Sequence, residues 1–136
     1  MNSTIIVRAL LLARPQLIAM LGANAAAKII IGVIPSGTPL PTIGITEVSA
    51  LDHVPLAGGA VARVTARTQI TVAAATVKQC KEVLSQARFA CRNFVGTING
   101  TPKITCHLEG SGPDFEHEAG FAMQTQDVRV TFNDGP

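Results

Sequence analysis

From Val61 to Val72 polar and apolar side chains alternate residue by residue, and this pattern restricts the architecture more than any other feature of the chain. Arg63, Thr65, Arg67, Gln69 and Thr71 take one parity. Ala62, Val64, Ala66, Ile70 and Val72 take the other, with Thr68 among them. A two-residue period puts successive side chains on opposite faces, so the run predicts a half-buried antiparallel strand with one face on a core. The period then changes. Over Ala73 to Phe94, the residues Val77, Cys80, Leu84, Ala87 and Cys91 recur at helical spacing and predict a helix whose apolar stripe packs on the sheet. Thr76, or a residue just before it, is placed to cap its start, and Gly96 follows its end.

The N-terminal third predicts two short helices and two strands. Ile6, Ala9, Leu10 and Ala13 share a helical face over Asn2 to Ala13, with Ser3 or Thr4 as the cap. Pro15 cannot sit inside that helix but suits the first residue of another, which ends at Gly22. Arg8 and Arg14-Pro15 interrupt the apolar stretch, so it fits neither an export signal nor a membrane span. Lys28 to Ile34 is a short β-rich run, and Pro35 to Pro39 forms a loop that Pro41 ends. Thr42 to Ser49 is a second strand, and Ala50 to Ala60 reads as a long hairpin tip.

Asn99-Gly100 predicts a two-residue turn joining Phe94–Ile98 to Lys103–Glu109. Ile104, Cys106 and Leu108 share one face of the latter. Gly110 to Gly120 reads as a polar loop and Phe121 to Phe132 as the last strand. In that strand the apolar parity switches, from Phe121 and Met123 to Val128, Val130 and Phe132. Either a bulge or a strand that buries different faces at its two ends would explain the switch. The order of elements predicts one α+β domain over residues 1–136, an antiparallel sheet with helices packed mainly on one face.

Composition narrows the function. A chain of 136 residues can bury a core without disulfides or metal, and 47% apolar against 15% charged residues is a globular balance. There is no Trp or Tyr, and the net charge is +2 with no basic cluster. Nucleic-acid modules use aromatic platforms and basic patches, so that class is disfavoured. Cys80, Cys91 and Cys106 lack zinc or redox spacing and read as reduced, buried packing residues in a cytosolic protein.

The search for chemistry finds no phosphate loop, nucleophile elbow or zinc-protease motif. Asp114, Glu116, His117 and Glu118 could hold a divalent ion, although no ligand spacing fits and a solvated acidic loop has the same composition. Asp52-His53 is a possible acid/base pair on the hairpin tip. Arg63 and Arg67 share one side of a strand, with Lys103 possible on a neighbouring one. They suit a DNA-filled channel, an acidic partner, or simply a solvated face. No catalytic residue, cofactor or metal is expected.

Three segments then carry a likeness to a known family. They are the helix pair ending in Leu21-Gly22, the stretch Ile34-Pro35-Ser36-Gly37-Thr38-Pro39-Leu40-Pro41-Thr42-Ile43, and Glu118-Ala119-Gly120-Phe121 continuing into Asp127-Val128-Arg129-Val130-Thr131-Phe132. Between them, Arg67 to Val72 and the long helix fall in the same order. In this respect the chain resembles the tail-completion and tail-terminator proteins of long-tailed phages, prophages and gene-transfer agents. It departs from their pattern in Thr42 after Leu-Pro and in lacking Tyr or Trp near the last strand. The resemblance implies a virion structural protein of the tail, assembled in the host cytoplasm. It implies a self-associating ring of about six subunits, following the closed symmetry of such assemblies. That ring would cap the tail tube, end its elongation and offer a surface to the head–tail connector proteins, with DNA passing non-specifically through its lumen and no membrane involved. Candidate contact residues are Arg63, Arg67, Asp52, His53, Asp114 and Glu116. A head–tail connector ring, or a small ligand-binding α+β dimer, are the competing readings.

Overall fold

The computed structural model describes residues 2–53, 61–112, 115–116 and 120–134, the pair 115–116 by its backbone. Its elements are α1 (Ser3–Leu12), α2 (Pro15–Leu21), a 3-10 turn (Ala25–Lys28), β1 (Ile29–Ile31), β2 (Thr42–His53), β3 (Ala62–Ala74), α3 (Val77–Cys91), β4 (Phe94–Ile98), β5 (Thr101–Ser111), β6 (Phe115–Glu116) and β7 (Ala122–Asp134). One sheet runs in the order β1-β2-β3-β7-β5-β4, with β6 also paired to β7. The helices pack on one face, α3 against β3, β5 and β7 and α1 against β1, β2, β3 and β7. The fold is α+β, as the element order predicts.

The alternation in β3 decides which face the helices cover. Val64, Ala66, Thr68, Ile70 and Val72 are buried beneath them, while Arg63, Thr65, Arg67, Gln69 and Thr71 occupy the open face. In α3 the buried residues are Cys80, Val83, Leu84, Ala87 and Cys91. Full burial of one such aliphatic side chain contributes about 1.5–3 kcal/mol. Val77 falls outside that stripe, 41% exposed, and Val83 replaces it. Thr76 caps α3 by accepting from Gln79 N at 3.1 Å.

Several boundaries differ from the sequence reading for identifiable reasons. Asn2, rather than Ser3 or Thr4, caps α1, accepting from Ile5 N at 3.0 Å. Ser3 is buried and its hydroxyl donates instead to Glu47 Oε1 at 2.7 Å. Helix α3 starts at Val77, because Ala73 and Ala74 still pair with Met123 and Ala122 in the ladder. It ends at Cys91 with Arg92 as its C-cap, and Gly96 lies within β4. β2 runs on to His53, so Ala50 to His53 of the expected tip are strand, and residues 54–60 of it lie outside the described residues. β5 extends to Ser111 and β6 pairs with β7, so Gly110, Ser111, Phe115 and Glu116 of the expected loop belong to strands.

The sheet is not wholly antiparallel. β1 pairs with β2 in parallel, Ile29 opposite Ile43 and Ile31 opposite Ile45. The intervening chain returns across the open face, where Gly44 admits it. A Cβ at Gly44 would lie 2.8 Å from Ile34 Cγ1 and 3.1 Å from Gly32 O. The Asn99-Gly100 turn forms as its residues demand, with φ of 50° and 80°.

The parity switch in β7 has a different origin from a bulge in that strand. β3 and β7 pair without a register shift from Ala62–Asp134 to Ala74–Ala122. Even-numbered Ala122, Gln126, Val128, Val130 and Phe132 are all buried on the helix face. Met123 lies on the other face, where the returning chain half-buries it, so this end of β7 is covered on both sides. The bulge sits in β5, between Leu108 and Ser111. Gln126 fills it: its amide donates to Glu109 O and Asp127 O at 2.9 Å each, and accepts from Ser111 Oγ at 2.6 Å.

No single described helix is long and apolar enough to cross a membrane. The apolar pair α1 and α2 meets at 86° and contributes Ile6, Val7, Leu11, Leu17 and Leu21 to the core.

Candidate assembly surface

The face of the sheet away from the helices carries the charged and polar residues that the sequence singles out. Strand register sets them in rows. Leu51, Thr65, Thr131, Thr105 and Val95 cross β2, β3, β7, β5 and β4 in line. The row ends in exposed apolar side chains, Leu51 at 63% and Val95 at 72%. The adjacent row is Ser49, Arg67, Arg129 and His107. Two arginines directly opposed across strands repel, and each is met by a carboxylate. Arg67 Nε donates to Asp127 Oδ2 at 3.1 Å, and its Nη2 contacts the same oxygen. Arg129 Nε lies 2.6 Å from Glu109 Oε1. The hydrogen bond to Asp127, and then its charge, raise the already high pKa of Arg67.

Arg63 and Arg67 share this face as the alternation predicts. Arg63 Nη1 donates to Lys103 O at 2.6 Å and Asn133 Oδ1 at 3.1 Å. Lys103 is therefore near, but on β5, which is separated from β3 by β7. Asp52 and His53 do not form an acid/base pair. Both lie in β2, where successive side chains point to opposite faces. His53 is on the open face with Nε2 3.1 Å from Thr65 Oγ1, and Asp52 is on the other. Asp114, His117 and Glu118 lie outside the described residues, and Glu116 is placed only as backbone in β6. Among the described residues no three His, Cys, Asp or Glu gather as a metal site.

The partners Asp127, Glu109 and Arg129 were not legible as partners in the sequence. Arg67 and Asp127 are 60 residues apart. The one local signal is that Asp127, Arg129 and Thr131 share the odd parity of β7.

At the other end of the open face lies an apolar groove of about 660 Å³, walled by the returning segment 32–40 and floored by Gly44, Thr71, Ala73 and Met123. Val33 on its rim is 86% exposed. At the two lateral margins of the sheet stand β1 and β4, each paired on one side only among the described residues. Unpaired strand edges accept a further strand readily. The three cysteines are buried and free of disulfides. Hydrogen bonding to Cys106, then burial, push the Cys91 thiol well above its ordinary value and keep it protonated, which suppresses its nucleophilicity.

Comparison with known proteins adds a likeness of fold. A chain from the virion of a native gene transfer agent particle superposes with a TM-score of 0.76, covering 97% of this chain and 95% of that one. The two are 14% identical, so the likeness is one of fold. No protein-family model matches the sequence. No curated protein matches it either.

Proposed function

We propose that the chain is a structural subunit of a phage-type virion, in the role of a tail terminator. Copies of it close into a ring of about six, by head-to-tail contacts whose rotation closes. The ring caps the tail tube, stops its growth and presents a surface to the head–tail connector. The observation that carries this reading is the end-to-end likeness of fold to a chain of a gene transfer agent virion. The described parts of the segments that carry the resemblance form the helix pair, the returning Pro/Gly segment and β7. Exposed strand margins and the apolar residues Leu51, Val95 and Val33 supply surface for contacts between subunits.

In this role the segments around residues 50–60 and 110–120 meet neighbours, tube or head. Arg63 and Arg67 face either the lumen or a neighbouring subunit. The work of the protein is then assembly and not catalysis. A head–tail connector ring would use the same surfaces.

A small ligand-binding dimer is a second reading, favoured only by the groove of about 660 Å³. Among the described residues its polar lining is Ser36, Thr38, Thr46, Gln69 and Thr71, with no charged group.

The deciding experiment is native mass spectrometry of the purified protein with and without tail tubes. A closed oligomer alone or on tubes is expected. A monomer or dimer under both conditions would overturn the ring and favour the ligand-binding reading.

A further inference from the structure

The helix layer carries a charge pattern that the open face does not. On the open face Arg67 lies beside Asp127 and Arg129 beside Glu109, so cations there are offset by acids. Among the described acids only Glu82 belongs to a helix. That helix, α3, also carries Lys78, Lys81 and Arg88, with Arg92 as its C-cap. Lys78, Lys81, Ser85, Arg88 and Arg92 follow one another at steps of three and four residues, which sets them along one side of the helix. From Lys78 to Arg92 this side runs for about 21 Å at a rise of about 1.5 Å per residue.

The tertiary fold adds another guanidinium to it. Arg14 enters from the join of α1 and α2, and its Nε donates at 3.0 Å to Gln86 Oε1, 72 residues away in sequence. Arg14 and Arg92 both lie over the ring of Phe89, their Cζ atoms 5.5 and 4.9 Å from its centre. The ring is 46% exposed. Cation–π attraction holds both guanidiniums in place. A neutral ring and a neutral amide do not offset the repulsion among Arg14, Arg88 and Arg92. The C-terminal end of α3 supplies only about half a unit of negative charge against three cations. An anion laid along this surface offsets the rest.

Resting on the virion reading above, and deepening it, we infer that this side of α3, with Arg14 and Arg92 around Phe89 at its end, binds the phosphodiester backbone of duplex DNA. The planar donor fork of a guanidinium matches phosphate. One DNA strand presents a charge about every 3.4 Å along the axis, so a stripe of about 21 Å meets several in succession. Phosphate contacts carry no sequence information, which suits a chain with no Trp or Tyr to stack on bases. The DNA-contacting surface is then the helix layer, and Arg63 and Arg67 on the opposite face are left to contacts between subunits.

The test follows a fluorescein-labelled random-sequence duplex of about 30 base pairs binding to the full chain by anisotropy, over roughly 50–200 mM salt. Arg14→Gln combined with Arg92→Gln should weaken binding and lower the slope of log affinity against log salt by about 0.9 for each arginine removed. Arg63→Gln combined with Arg67→Gln removes the same charge from the opposite face and should leave the slope unchanged. Lys78→Gln is remote from the packing around Phe89 and should lower the slope by about 0.9 even where the first pair disturbs folding. No binding by the wild type, or equal losses from both double variants, overturns the inference. Displacement of the duplex by poly-glutamate at equal charge concentration also overturns it and assigns the surface to an acidic protein. Native mass spectrometry of the same samples separates the two proposals. A closed ring that ignores DNA removes this surface and leaves the ring. DNA binding without a closed oligomer keeps the surface and removes the ring.

Discussion

Arg67 of β3 and Arg129 of β7 stand directly opposite each other, like charges at one cross-strand position, and each is held by a different carboxylate. Asp127 takes Arg67 diagonally along the same strand pair, and Glu109 takes Arg129 from β5. Three strands are thereby joined by alternating charge across the open face, and the two acids offset the repulsion between the arginines.

Removing one acid should expose that repulsion. Asp127→Asn keeps the shape and one acceptor but leaves the two guanidinium groups facing each other. The melting temperature should fall relative to wild type. The gap should narrow in roughly 1 M salt, where screening acts over about 3 Å. A gap that is insensitive to salt would argue that packing rather than charge sets it.

The same face carries the assembly prediction. Reversing both Arg63 and Arg67 to Glu should reduce ring closure or the yield of DNA-filled particles, with the monomer still folded by circular dichroism. Normal particle numbers from that double variant would show that this charge takes no part in assembly.

Gln126 is the buried polar side chain that holds the β5 bulge. Gln126→Leu should destabilise the fold by about 1–3 kcal/mol, since the carbonyls of Glu109 and Gly110 lose their donor. The midpoint of urea unfolding reads this directly. An unchanged midpoint would mean that water satisfies those carbonyls equally well.

Thr68 predicts the opposite sign. It is fully buried on the helix face of β3, and its hydroxyl has no hydrogen-bond partner among the described residues. Thr68→Val keeps the shape and removes the unsatisfied group, so it should stabilise the fold by about 1 kcal/mol. Loss of stability would reveal a partner for the hydroxyl.

Cys91 makes a pH prediction. Its folded pKa is raised, first by the hydrogen bond with Cys106 and then by burial, so the folded state holds the proton more tightly than the unfolded chain. The contribution is therefore complete below the unfolded thiol value of about 8.5 and is lost as pH rises from there through the folded value. Stability should decline above roughly pH 8.5, and Cys91→Ala should flatten that decline. Equal slopes for wild type and variant would assign the decline to other groups.

Much of this architecture was local enough to read from the residues. The two-residue period of β3, the helical stripe of α3, Pro15 at the head of α2 and the Asn99-Gly100 turn each depend on the backbone preferences of adjacent residues or on one buried face. Their identity therefore needs no knowledge of what packs above them. The charged side of β3 was visible for the same reason, which placed Arg63 and Arg67 together.

What lay beyond the sequence depends on pairing between distant segments. The parallel placement of β1 is decided by a chain that crosses above Gly44. The apolar parity of β7 switches because Met123 is covered from the other face, by the segment 32–40 far earlier in the chain. The carboxylates that neutralise Arg67 and Arg129, and the amide that fills the β5 bulge, reach their partners only through strand register. Register is a property of the whole sheet, and a shift of one residue would send every one of these side chains to the opposite face.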